Sequence, residues 1–167
     1  GRNSAEPHYT SGNKRLKKGQ FALFDYGARV GRYVSDLTRT FSCGRPSAKM
    51  QEMYDTVLEA QLIGIDMMVA GNNGKDVHTA VEEHINGTKF KDRFIHSTGH
   101  SIGLSVHDGG VIHSLIDQPL EEGMIFTVEP GVYLPGYGGV RIEDDVVVRK
   151  GKAEVLTKAP KKEIISV

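Results

Sequence analysis

The sequence predicts an α+β domain in which two antiparallel hairpins flank a pair of helices, and three observations carry that expectation. The runs "FALFDYG" (21–27) and "MIFTVEP" (124–130) are apolar almost throughout and each carries an acid near its end, as in strands covered on both faces. Between them Met50, Met53, Tyr54, Val57, Gln61, Ile65 and Met68 recur at three- and four-residue steps, the period of an amphipathic helix. Glycine and proline gather at the junctions, in "ARVGR" and "GVYLPGYGG", where turns need positive φ or a fixed one.

Taken in order, residues 20–42 read as a hairpin turning at Val30-Gly31, which sets Asp25 opposite Asp36. A helix starts at Ser47, with Pro46 before it and Gly71 after. A shorter one spans about Asp76 to Ile85 and is ended by "NGT", which is a turn before it is a glycan acceptor. Three β-rich runs close the chain: "GMIFTVEPGVYL", "GGVRIEDDVVVRKG" and "AEVLTKAPKKEII". The first two bring Glu129 and Glu143 together across a loop. With no low-complexity linker, residues 1–167 are expected to form one domain.

Composition narrows the partners. At 167 residues, 38% apolar and 25% charged, the chain belongs to the soluble globular class. Its 21 basic and 21 acidic side chains cancel, so no global field recruits nucleic acid or an anionic membrane. A small partner is expected. Cys43 is the only cysteine, which excludes an intrachain disulfide and makes a cytoplasmic setting the default. No apolar run approaches the roughly 20 residues of a membrane span, and "GRNSAEPHYT" lacks the apolar core of a signal peptide. The start at Gly1 without an initiator Met suggests a fragment with native sequence upstream.

Paired acids in apolar strands carry the chemistry. Two carboxylates facing each other repel and lose hydration, so a fold keeps them only where a proton, a base or a metal compensates. Here there are two such pairs. Between them "HSTGHSIGLSVHD" places His100 and His107 in a glycine-punctuated segment. A lone histidine would usually be structural; two beside four acids point to a metal centre. Carboxylate-rich, histidine-poor ligation suits hard or borderline divalent ions such as Mn, Fe or Co, and a bridging carboxylate is what a two-metal centre requires. The glycines form neither a dinucleotide nor a P-loop pattern.

The segments "NSAEPHY", "DYGARVGRYVSDLTRTF", "HSTGHSIGLSVHD" and "EPGVYLPGYGGVRIEDD" together resemble the catalytic domain of the pita-bread metallopeptidases, specifically the proline-specific branch of Xaa-Pro dipeptidases and Xaa-Pro aminopeptidases. The resemblance covers nearly the whole chain. It implies a curved antiparallel sheet with helices on its outer face, lacking the family's first helix pair and native N-terminal region. Five metal ligands follow from it: Asp25, Asp36, His100, Glu129 and Glu143, with Asp36 and Glu143 as bridges. It implies two divalent ions, Mn or Co first and Fe or Zn as alternatives. Glu129 would also move the nucleophile's proton. His8 and His107 would contact substrate and steady the tetrahedral intermediate, Arg141 would lie near the substrate's carboxyl end or behind the ligands, and Tyr133 would form part of the pocket wall. The serine of "HSIG" and Asp108 stand where glycine and glutamate are commoner.

The implied activity is hydrolysis of an N-terminal Xaa-Pro bond in short peptides. A methionine aminopeptidase would use the same ligands but lacks the wording of "EPGVYLPGYGGVRIEDD". A creatine-type amidinohydrolase lacks this metal set, and pita-bread domains that became peptide or histone binders typically lose ligands, whereas all five ligand types stand here. Association with a second copy or with the upstream part is expected, through Phe21 and Leu23 on the first hairpin.

Overall fold

The computed structural model describes residues 1–167. A 3-10 turn, Arg2–Ala5, leads into β1 (Phe21–Tyr26), β2 (Arg29–Val30), β3 (Tyr33–Val34) and β4 (Leu37–Ser42). β1 pairs with β4 and β2 with β3 in one continuous antiparallel register. The two-residue turn is Gly31-Arg32, at φ 54° and 82°, one residue beyond the expected Val30-Gly31. Such turns match strand twist when both central residues have positive φ. The shift corrects the pairing of the acids: Asp25 faces Thr38, and Asp36 lies diagonally across from it. Because residues two apart share a face, both carboxylates still lie on one side.

Helix α1 (Ala48–Met67) starts where the Ser47 hydroxyl accepts the Met50 N–H at 3.2 Å, and α2 (Gly74–Asn86) where the Asn73 side chain accepts that of Lys75. All seven residues that marked the helical period of α1 are buried. Met50, Met53, Tyr54 and Val57 pack with Val81 and Ile85 of α2 in one apolar cluster, Ile65 and Met68 with Val77 and Val128 in a second, and Gln61 turns its amide to Asp144.

After β5 (Gly99–His100) and β6 (Val111–Ile112), which pair with each other, the second acid hairpin departs from expectation. Its two long strands are each broken: β7 (Ile125–Val128) and β8 (Gly131–Leu134), then β9 (Gly138–Arg141) and β10 (Asp144–Val147). β7 pairs with β10 and β8 with β9. The breaks fall at Glu129-Pro130 and Ile142-Glu143. Proline has no N–H for a ladder, and the acids turn theirs to other segments, Glu129 to the Thr98 carbonyl at 2.8 Å and Glu143 to that of Thr38 at 3.2 Å. Both flanking ladders share one register, which sets Glu129 opposite Glu143. β11 (Glu154–Val155) pairs with β10, and the rest of the last β-rich run is an extended tail.

Side-chain alternation sorts the sheet into two faces. Val128 meets the apolar core and Asp144 meets Gln61 of α1, while Thr127, Glu129 and Glu143 turn to the opposite, concave side. No helix is long and apolar enough to cross a membrane.

Candidate metal centre

Asp25, Asp36, His100, Glu129 and Glu143 all line one cavity of about 780 Å³, with His8, His107 and Arg141 on its wall. Asp36, His100 and Glu143 present ligand atoms within 4.8 Å of one another, and Glu129 Oε1 lies 3.4 Å from His100 Nε2. Asp25 stands at the rim: its side chain is 45% exposed and its Oδ2 accepts Arg141 Nη2 at 2.5 Å.

Hydrogen bonds behind these groups fix their orientation. Thr127 is the hub of one set: its hydroxyl donates to Glu129 Oε1 at 3.1 Å and accepts the His100 N–H at 3.0 Å. Thr38 is the hub of another, donating to Glu143 Oε2 at 2.5 Å and accepting Arg141 Nε at 3.1 Å. The Asp36 N–H donates to Asp145 Oδ2 at 3.1 Å. Glycine lets the backbones close in, since a Cβ at Gly99 would sit 1.9 Å from the Thr127 carbonyl oxygen, and one at Gly27 as near that of Ser35.

The electrostatics call for a cation. Burial, with Asp25 nearby, pushes the Asp36 carboxyl up to about 6, and burial pushes Glu129 up to about 7 despite Arg141. Glu143 is driven well above the carboxylate range by burial and then by Glu129 and Asp36. His100 is lowered, chiefly by burial, which favours its neutral form. Its Nδ1 faces the Ser101 carbonyl at 3.2 Å, which can only accept, so Nδ1 holds the proton and Nε2 turns a lone pair toward Glu129 and Asp36. Lone pairs facing lone pairs fit a divalent ion, and an oxygen-rich set with one imidazole suits a hard or borderline one.

His107 packs against His100 at a centroid separation of 4.2 Å, the rings tilted by 55°. Tyr133, expected in the pocket wall, instead stands behind it: it is 2% exposed, and its hydroxyl lies 3.1 Å from Arg141 Nη1 and 2.8 Å from His96 Nε2. Arg141, in turn, engages Asp25 directly. His96, on the cavity wall, was not singled out from the sequence. Its position four residues before His100 in "HSTGH" was the available signal, but no strand or helix period there says where its side chain goes. Burial lowers it to about 4, so it is a neutral hydrogen-bonding group.

A model of metallopeptidase family M24 matches residues 1–150. The chain is 40% identical over 158 residues to the Xaa-Pro dipeptidase of Pyrococcus furiosus, a match covering 95% of this chain and 45% of that protein. It superposes on the X-Pro aminopeptidase of Thermotoga maritima with a TM-score of 0.95 at 40% identity, covering 99% of this chain and 46% of the other. For the Xaa-Pro dipeptidase of Bacillus anthracis the TM-score is 0.94 at 44% identity, over 98% and 46%. The chain spans about half the length of the curated relatives it matches.

Proposed function

The chain belongs to metallopeptidase family M24, and from that premise we propose that it hydrolyses the bond between the first residue of a short peptide and a proline in second position, at a centre of two divalent ions. The observation that carries this reading is the convergence of four acids and His100 on one cavity whose wall holds His8 and His107. The relatives named for Xaa-Pro substrates support the choice of peptide.

Asp25, Asp36, His100, Glu129 and Glu143 would hold the ions, with Mn or Co first among them. Such ions, when bound, polarise a carbonyl and make water more acidic. The side chains would do the rest. Glu129, oriented by Thr127, would take a proton from the attacking water and pass it to the leaving proline nitrogen. His107 would donate to the developing oxyanion. His8 would contact the substrate, and Arg141, backed by Tyr133, would keep Asp25 turned into the site. A proline amide nitrogen carries no N–H, so the pocket must recognise the bond without that donor.

The test is hydrolysis of an Xaa-Pro dipeptide, a longer Xaa-Pro peptide and a Met-Ala peptide by the metal-stripped chain with Mn added back. Metal-dependent release of proline, with Met-Ala spared, is expected. Cleavage of Met-Ala in preference to Met-Pro would move the chain to methionine-directed chemistry.

A further inference from the structure

On the face of the sheet turned away from the cavity lies a fully satisfied buried charge network. Arg39 is 3% exposed, and each of its five N–H groups finds an acceptor. Nη1 donates to the Thr38 carbonyl at 2.9 Å and the Glu143 carbonyl at 2.6 Å, Nη2 to Asp144 Oδ1 at 2.7 Å and the Ala159 carbonyl at 2.8 Å, and Nε to the Pro160 carbonyl at 3.2 Å. Asp144, wholly buried, is equally occupied. Its Oδ1 also accepts Thr157, and its Oδ2 accepts Gln61 Nε2 at 2.8 Å and Lys161 Nζ.

We propose that Arg39 is a positioning residue for the metal centre, whose guanidinium fixes the spacing between the two acid pairs by clamping the backbone of Glu143 to that of Thr38. The inference rests on the two-ion reading above. Asp25 and Asp36 ride on the first hairpin, Glu129 and Glu143 on the second, and the two meet where Glu143 N–H bonds the Thr38 carbonyl. Four acids on one cavity push these hairpins apart; most ties across them run through side chains, and the Glu143 backbone itself is held to Thr38 by one 3.2 Å hydrogen bond. Arg39 Nη1 grips both carbonyls at the same point. Asp144 supplies the counter-charge that lets the guanidinium stay buried.

The experiment compares wild type with Arg39→Lys, which keeps the charge but has three donors for five acceptors. Mn is titrated by calorimetry, Mn–Mn spin coupling is read by EPR, and amide exchange is followed in metal-free protein. The second equivalent of Mn should bind about 10- to 100-fold more weakly, with the coupled signal lost. The Glu143 amide should exchange faster while the Met53 amide in α1 is unchanged. Tyr54→Phe, which frees the tail at the Lys161 carbonyl (2.9 Å) and leaves the Arg39–Asp144 network intact, should leave both Mn affinities within about twofold. Wild-type Mn binding by Arg39→Lys, equal acceleration of Glu143 and Met53, or equal weakening by Tyr54→Phe would each overturn the proposal. If Arg39→Lys does not fold, Arg39→Gln/Asp144→Asn/Lys161→Met, which removes the three linked charges together, is read the same way. If wild type takes up fewer than two ions, the two-ion reading fails, and the Glu143 exchange still decides whether Arg39 sets the spacing.

Discussion

The rings of His107 and His100 lie 4.2 Å apart between centroids, yet only His100 turns a nitrogen toward the acids. On the proposed roles, His107→Ala lowers kcat about 100-fold or more and leaves Mn content, measured by elemental analysis, close to wild type. A variant that empties the site would make His107 a ligand. A second prediction concerns His78, which burial and then His113 hold at about 4. A histidine whose pKa falls on folding binds more protons when unfolded, so its contribution to stability is complete above about 6.5 and is lost as pH drops toward 4. The raised acids of the cavity act in the opposite sense, so the readout is a difference: in chelator, the stability gap between wild type and His78→Gln should shrink from pH 7 to pH 5 in urea unfolding. At this scale Asp25 and Glu129 drew notice because acids in apolar runs are anomalous, while the full set of five proposed ligands came only with the family resemblance. Thr38 and Thr127 were not legible, since a hydroxyl in a strand fits any environment and only the fold shows which carboxylate it meets.

The short strand β5 matters beyond its two residues. It brings Gly99 against β7 so closely that a methyl group would overlap the Thr127 carbonyl, and it delivers His100 to the acids. Gly99→Ala should therefore destabilise the metal-free protein by about 1–3 kcal/mol, read as a lower urea midpoint, and weaken Mn binding through His100. An unchanged affinity would show that β5 has slack. Helices α1 and α2 were legible from period and caps, because a 3.6-residue repeat over five turns has few alternatives. The hairpins were legible as pairs but not in detail. An apolar run does not reveal that a strand changes ladder at Glu129-Pro130, and one residue of error at Gly31-Arg32 moved Asp25 from Asp36 to Thr38. Two-residue periodicity absorbed that error, since the shift still leaves both acids on one face.

Binding links the centre to the stability of the whole chain. Ions that bind only the folded state add about 2.7 kcal/mol at 100 times their Kd. For a chain of this size that raises Tm by about 5–10 °C, and calorimetry with Mn should show the rise and its reversal by chelator. The α+β order was legible from the sequence because each half announces itself by composition. The extended tail was not, because its course is set by Arg39 and Asp144 and not by its own pattern. The expected association surface needs correction: Phe21 is 1% exposed, packed edge-on against Tyr137, whereas Phe24 and Tyr26 of the same strand are more than half exposed. Strand β4 offers one more use. Cys43, the only thiol and partly accessible, follows its last residue, while Asp36 precedes its first. Seven extended residues span about 23 Å, so a nitroxide attached to Cys43 becomes a ruler: its relaxation should quicken as paramagnetic Mn loads and stay constant with diamagnetic Zn.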